Sequence, residues 1–412
     1  MTRPRLLRRS GHRTATIVAS AALLGLVGGI AAQATLAAPS PSDHGLRVIE
    51  TGSKSEAPTS AELSPTAPAP RIAGGRPAGD GEFPFTVKVE VSSGVGFFNC
   101  TGTVVSPEFV LTAAHCLTDN FGVPRPGLNV NVIAGATDLA FATPANVFPS
   151  LFVAIPLNWQ GFATSAANDW ALVQLDRAVT VRGLPLPPAA NEAEAPGVEG
   201  TITGYGLLSQ APNVPTNRLH VGTAPILTDA QCISYFGAGY VPGLMNCTGP
   251  PPGTPPIDAT TCPGDSGGPL FVPFGDDYLQ AGITSFGLNL PCQTPRLGGY
   301  TKVSTYAAAI TGGLQFLQPS LGPPTASTGG VTQQHDDGLT VAGTVDPNGI
   351  ATAYEVRWGT TPALGGGVVR GYADPDGGVQ ARAYAGLGEG PVGVSARISG
   401  APPGTEIFYR FS

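Results

Sequence analysis

Two short segments carry side chains suited to nucleophilic chemistry: Leu111-Thr112-Ala113-Ala114-His115-Cys116 and Thr261-Cys262-Pro263-Gly264-Asp265-Ser266-Gly267-Gly268-Pro269-Leu270. A serine hydroxyl is a poor nucleophile near its own pKa and needs an adjacent base to take its proton. Histidine titrates near neutrality, so it can accept that proton and later return it to a leaving group. Of the five histidines, His12 and His44 lie in the N-terminal leader and the segment after it. His220 sits in the alternating stretch Arg218-Leu219-His220-Val221 and reads as an ordinary strand residue, and His335 lies in a polar loop. His115 is therefore the candidate base and Ser266 the candidate nucleophile. Attack by Ser266 would leave a negative oxygen, best stabilised by fixed backbone N–H groups such as a glycine-rich turn supplies. Gly-Asp-Ser-Gly-Gly on its own would be an ordinary tight turn; its pairing with the histidine segment gives it weight.

Six aspartates fall between the two segments: Asp119, Asp138, Asp169, Asp176, Asp229 and Asp258. Asp169 stands directly ahead of Trp170-Ala171-Leu172-Val173-Gln174-Leu175, a position that allows desolvation against an imidazole. Asp176 closes that run beside Arg177 and reads as a solvated turn residue.

The elements that must hold these residues are short strands. From Ile72 to about Gln318 the chain shows brief alternating apolar runs punctuated by Gly and Pro, among them 86–91, 103–105, 130–133, 171–175 and 281–284. Many short strands with turn signals between them predict an all-β barrel or sandwich. Only Thr305 to Leu317 has helical spacing, through Ala309, Ile310, Leu314 and Leu317, and the pair Gly312-Gly313 weakens it. Residues 319–325 read as a semi-rigid Pro-rich linker. Beyond it, period-two runs return at Tyr354/Val356/Trp358, Val392/Val394/Ala396/Ile398 and Ile407/Tyr409/Phe411, with turns at Asp346-Pro347-Asn348-Gly349 and Pro402-Pro403-Gly404.

The N-terminus has the features of an export signal. Arg3, Arg5, Arg8, Arg9 and Arg13 precede an almost wholly apolar stretch from Ala15 to Ala32, with Ala32-Gln33-Ala34 or Ala37-Ala38 as cleavage sites. The alternative is an uncleaved anchor helix, which the small, Gly-rich residues disfavour. Residues 39–71 are rich in Pro, Ser, Ala and Thr without a periodic apolar pattern and read as a flexible propeptide. Hydrophobic residues make up 42% and charged residues 12% of the 412, with 57 Gly and 42 Pro, which suits a turn-rich exported β protein. Beyond residue 71, 13 of the 21 Lys/Arg face 24 of the 28 Asp/Glu, a formal −11. No basic stripe survives there, which excludes nucleic acid as a partner and disfavours anionic membranes. No stable membrane span is expected once the signal is removed. All six cysteines lie between Cys100 and Cys292, consistent with an oxidising compartment, and allow 15 pairings.

The Thr-Ala-Ala-His-Cys and Gly-Asp-Ser-Gly-Gly segments together resemble the signature of chymotrypsin-like (trypsin-family) serine peptidases, from Ile72 to about Leu317. That resemblance implies two antiparallel six-stranded β-barrels, here followed by a small β-sandwich. It implies a secreted endopeptidase with no cofactor and no metal, acting on protein or peptide substrates. His115, Asp169 and Ser266 match the catalytic triad, with Asp169 in the family's Asp-x-Ala-Leu context, and the order His, Asp, Ser is the family's. Gly264 and Ser266 match the oxyanion-hole positions, and Pro263 departs from the polar residue usual there. Arg71-Ile72-Ala73-Gly74-Gly75 resembles the activation site: cleavage after Arg71 by another protease would free the Ile72 ammonium to pair with Asp265. The implied disulfides are Cys100–Cys116, Cys232–Cys247 and Cys262–Cys292. Thr260 falls at the base of the primary pocket, and Ser285, Gly287 and Gly298 on its walls. Without a carboxylate at Thr260, and unless a loop brings Asp258 close, the pocket would favour apolar or aromatic side chains.

The sequence thus divides into a signal peptide (1–38), propeptide (39–71), peptidase domain (72–318), linker (319–325) and C-terminal domain (326–412). The last resembles fibronectin type III-like modules through Gly343-Thr344-Val345-Asp346-Pro347-Asn348-Gly349 and Trp358-Gly359-Thr360-Thr361. Ile407 stands where such a sandwich usually has an aromatic residue, and the chain stops at Ser412 inside what would be the penultimate strand. The module would be a spacer or a binder of cell wall or polysaccharide. Two rival readings are an inactive binding protein that keeps the fold, and a chain whose C-terminal module is the functional end.

Overall fold

The computed structural model describes residues 45–52, 75–188, 193–207, 209–210, 213–214, 216–250, 259–275, 277–287, 297–335, 338–364, 367–373, 390–400 and 406–412. Strands dominate, as the alternation predicts. In chain order the first group is β1 (Leu46–Glu50), β2 (Arg76–Pro77), β3 (Thr86–Ser93), β4 (Gly96–Ser106), β5 (Phe109–Thr112), β6 (Asn129–Ile133), β7 (Val147–Pro156) and β8 (Ala171–Leu175). All but β2 form an antiparallel sheet in the order β1-β7-β6-β3-β4-β5-β8, and a further β7–β8 pairing closes six of them into a barrel. Val87, Val89 and Val91 fill its interior with no exposure. The opposite face of β3 meets the second half of the molecule, where Thr86 and Thr203 share a hydroxyl–hydroxyl hydrogen bond of 2.7 Å.

The second group is β9 (Glu199–Gly204), β10 (Ser209–Gln210), β11 (Asn213–Val214), β12 (His220–Pro225), α1 (Asp229–Phe236), β13 (Met245–Thr248), β14 (Pro269–Phe274), β15 (Asp277–Gly287), β16 (Gly298–Lys302) and α2 (Val303–Leu317). Its main sheet runs β13-β16-β15-β14-β9-β12-β2. Two six-stranded barrels were expected. Here one barrel closes through continuous pairing, while the second sheet has seven strands whose ends meet only at an isolated Ile226–Thr248 bridge. The helix expected over 305–317 forms as α2. Its Gly313 lies so close to Leu46 and Leu172 that a Cβ would sit 2.9 Å from the Leu46 side chain. Poor intrinsic propensity is tolerated there because the missing side chain admits a neighbour.

The third group comprises β17 (Thr325–His335), β18 (Gly338–Asp346), β19 (Thr352–Gly359), β20 (Gly367–Ala373), β21 (Val392–Ser399) and β22 (Phe408–Phe411), paired as β17-β18-β21 and β20-β19-β22. One apolar cluster draws Val341 and Ile398 from the first sheet and Val356 and Phe411 from the second, with Ile407 buried among them. This group is docked rather than strung on a free linker. Leu321, inside the expected linker, and Ile350 belong to the first barrel's core cluster. Ser106 Oγ donates to the Gly349 carbonyl at 2.8 Å, and the Ala351 amide donates to Val105 at 3.0 Å.

One departure from expectation concerns a segment outside the peptidase motifs. Residues 45–52, assigned to a flexible propeptide, include an ordered strand with Leu46 2% exposed; five weakly apolar residues give no periodic signal until a partner strand exists. The expected activation residues Arg71 and Ile72 lie outside the described residues.

An aromatic group joins the N-terminal end of the peptidase region to the second sheet. Phe271, fully buried on β14, lies 5.2–5.3 Å from Phe83 and Phe85 and 5.0 Å from Tyr278, ring centre to centre. Phe271→Ala is expected to lower stability by about 3–5 kcal/mol, read as a shift in the urea midpoint.

Candidate active site

His115 sits in a single 3-10 turn, Ala114–Cys116, at the end of β5. A disulfide from Cys116 to Cys100 ties that turn to β4, and Cys232–Cys247 is the second bridge, both paired as expected. Cys292 lies outside the described residues, and the expected Cys262–Cys292 pair with it. Cys100, His115 and Cys116 converge within 4.8 Å, but the two sulfurs are spent on the disulfide and offer no thiolate to a metal.

Asp169 enters from the other side, just before β8. Asn168 adopts φ 65°, a left-handed conformation that Asn tolerates better than most residues. The Tyr306 hydroxyl of α2 fixes it by donating to Asn168 Oδ1 at 3.1 Å. The turn delivers Asp169 to a fully buried position. Its Oδ1 accepts the His115 backbone N–H at 2.9 Å, and its Oδ2 accepts His115 Nδ1 at 2.7 Å and Ser285 Oγ at 2.5 Å. The Asp169 carbonyl takes the Thr301 hydroxyl at 2.8 Å. A carboxylate facing Nδ1 requires the proton on that nitrogen, leaving Nε2 as the free base. Phe162 packs against the imidazole with 5.0 Å between ring centres, and Trp159 stands edge-on to Phe162 at 5.5 Å.

The Ser266 turn is pressed against the same strands. The Thr101 amide donates to the Ser266 carbonyl at 2.8 Å, and Thr101 Oγ1 to the Gly264 carbonyl at 2.8 Å. Gly267 has φ +82°, and a Cβ there would lie 2.1 Å from Thr112 Oγ1 and 2.4 Å from the Thr101 carbonyl. Only glycine lets the turn approach the end of β5, three residues before His115. Ser266 is partly exposed, and its Oγ makes no direct hydrogen bond to His115 in this structure. Gly264 has φ +99° and faces the Gly206 backbone. No acceptor within the described residues takes the Gly264 or the Ser266 amide, whereas the amides of Asp265, Gly267 and Gly268 are each used internally.

Asp265 points away from this face into the protein and is completely buried. It accepts the Cys262 and Gly206 amides at 2.7 Å each and forms no ion pair among the described residues. Desolvation pushes its carboxyl up to about 6, against the opposing pull of the two amides and of Lys88. Lys88, itself buried on β3, is lowered to about 8, first by desolvation.

The pocket residues have uneven standing. Thr260 is 3% exposed. Gly287 pairs with Gly298 across β15 and β16, the two strands expected to form the walls. A Cβ on Gly298 would meet the Tyr300 hydroxyl at 2.4 Å, so that glycine makes room for Tyr300. Asp258 and residues 288–296 lie outside the described residues. Sequence reading placed Ser285 on the pocket wall and missed its bond to Asp169. The cause is a β-bulge: the register shifts between Thr284 and Phe286 and leaves Ser285 unpaired, free to re-aim its side chain. Asp176 pairs with Arg177 at 3.0 Å at the surface, and His220 lies in β12, as expected.

Residues 72–310 match the family model "Trypsin". The chain is 32% identical over 244 residues to a "Trypsin-like protease" of Streptomyces glaucescens, covering 58% of this chain and 81% of that protein. It is 31% identical over 236 residues to "Trypsin" of Saccharopolyspora erythraea, 57% of this chain and 94% of the relative. It is also 31% identical over 240 residues to "Trypsin-1" of Astacus astacus, 57% of this chain and 95% of the relative.

Two outcomes follow from this geometry. Ser285→Ala removes one of three hydrogen bonds to the buried carboxylate and is expected to lower kcat/KM on a peptide substrate by roughly 3- to 30-fold. The raised carboxyl of Asp265 sheds its proton later in the folded than in the unfolded chain. Its contribution is most favourable below the unfolded pKa near 4 and is lost as pH rises through about 6, on the order of 3 kcal/mol in all. Urea midpoints of the uncut Ser266→Ala protein should fall between pH 4 and 6, and less so when Asp265→Asn is added.

Proposed function

From the premise that the chain belongs to the trypsin family and is a serine endopeptidase, we propose that it is exported as a zymogen and hydrolyses peptide bonds through His115, Asp169 and Ser266. The observation that carries this reading is the pair of unclaimed amides at Gly264 and Ser266, on the turn packed beside a histidine whose Nδ1 is held by a buried carboxylate. Substrate binding brings Ser266 Oγ within reach of His115 Nε2; such hydrogen bonds tighten in the substrate complex. His115 takes the hydroxyl proton as Oγ attacks the carbonyl, and Asp169 stabilises the resulting imidazolium. The two amides hold the tetrahedral oxyanion. Collapse passes the proton to the leaving amine and leaves an acyl-enzyme, which water hydrolyses by the same steps.

Cleavage after Arg71 supplies the Ile72 ammonium to Asp265. A carboxyl buried without an ion pair, at the back of the loop that carries both oxyanion donors, supports that assignment. Thr260 gives the primary pocket a neutral base, and Gly287 leaves one wall low, so large apolar or aromatic residues precede the cut bond. Such a specificity does not cleave at Arg71, and a separate protease activates the precursor. The second sheet is read as the family's second barrel. The C-terminal group is read as a fibronectin type III-like sandwich that spaces the enzyme from, or binds it to, a cell wall or polysaccharide. The Arg-rich, apolar leader supports secretion, and no helix among the described residues is long and apolar enough to cross a membrane.

Limited trypsin treatment to cut at Arg71, followed by trypsin inhibition and a mixed peptide library, tests the reading. Cuts after Phe, Tyr, Leu or Met are expected, with turnover reduced ~10⁶-fold in Ser266→Ala. Cuts after Arg or Lys would overturn the neutral pocket. No cutting despite an Ile72 N-terminus would overturn the triad assignment.

A further inference from the structure

The segment ahead of the activation site is built into the first barrel. β1 pairs antiparallel with β7 in continuous register from Leu46↔Pro156 to Glu50↔Phe152. It occupies an edge that no other strand among the described residues covers: β6 pairs with β7 only over Val147–Pro149, and β8 takes the opposite edge from Ser150 to Ala154. Both ends of β1 are secured. The Leu157 amide donates to Gly45 at 2.8 Å and the Thr51 amide to Leu151 at 3.0 Å. The buried Thr51 hydroxyl meets the Ser150 carbonyl at 2.7 Å.

Side chains add an anchor to this ladder. Leu46 inserts between α2 and β8, in the space left by Gly313, and Val48 and Ile49 pack partly buried on the same core. Thr51, at the far end, is 4% exposed. A propeptide that merely covered an active site would not need its leucine in the core of the barrel or a glycine in the terminal helix shaped to it.

We propose that residues 45–52 are a permanent strand of the enzyme, held by the β7 edge and the α2–β8 groove after the chain is severed between them and residue 75. The partner this surface fits is a segment of the same chain, captured by strand addition with Leu46 as its anchor. None of the six cysteines lies in or before β1, so the association is non-covalent. The mature protein is then two chains in one fold. Removing the short one opens the β7 edge to pairing with other chains and uncovers the groove beside Gly313. The proposal relies on the zymogen reading only for the natural cut at Arg71, so its test uses a cut introduced elsewhere.

A foreign endopeptidase site placed within residues 56–66 of the full-length Ser266→Ala protein severs the chain without using Arg71 or the enzyme's own activity. After cutting, size-exclusion chromatography followed by mass spectrometry is expected to show the fragment containing residues 45–52 co-eluting with the large fragment, and separating only in denaturant. Leu46→Ala, cut in the same way, should release its fragment about 30-fold faster or more. The uncut variant's elution as a folded monomer establishes that the variant folds. A wild-type fragment that elutes separately in native buffer overturns the proposal, as does release that Leu46→Ala leaves unchanged. N-terminal sequencing of the wild-type mature enzyme tests the Ile72 cut independently.

Discussion

A fully buried carboxylate must be surrounded by donors, and Asp169 obtains them from both halves of the molecule. His115 supplies two N–H groups from the turn after β5, while Ser285 supplies a hydroxyl from the bulge in β15. Thr301 of β16 holds the Asp169 main chain. Moving either sheet by an ångström would leave a buried charge underpaired, at a cost of several kcal/mol. The imidazole is oriented by the same contacts that lock the barrel to the second sheet, so the geometry of the candidate site and the inter-sheet register are one constraint.

Asp265 is the contrasting case. It is as deeply buried, yet two amides are its only hydrogen-bond donors in the described structure, and its carboxyl is pushed up to about 6 by desolvation. Lys88 faces it from β3 at a distance that tempers the cost without forming a pair. A carboxyl this unevenly satisfied, one residue before Ser266, is a candidate functional group. Where Asp169 is a finished structural joint, Asp265 forms no ion pair among the described residues.

The protein's structural unit is larger than its family match. Residues 72–310 carry the motifs, but the first core also draws Leu46 from the N-terminal side and Leu321 and Ile350 from the C-terminal side. The Asp346-Pro347-Asn348-Gly349 turn, legible as a turn, proves to be a docking element that reaches Ser106 at the end of β4. The segments on either side of the peptidase region therefore both bear on the barrel that holds His115 and Asp169.

The sequence alone determined the strand-rich class, the positions of most strands and α2, and it singled out His115, Asp169 and Ser266 as candidates, the first two of which the structure joins. These rest on local information: alternation sets which side chains share a face, and glycine at 264 and 267 marks where the backbone turns left-handed. It could also assign the two described disulfides through family resemblance. Tertiary structure decided what depends on residues distant in the chain. The role of Ser285 required a bulge that only the pairing with β16 creates. The order of Leu46–Glu50 required the exposed edge of β7 and the space beside Gly313, neither of which is encoded in five residues that show no period of their own. The closed first barrel and the looser second sheet differ in how their end strands meet, and no periodicity within a strand reports on the strand it will find.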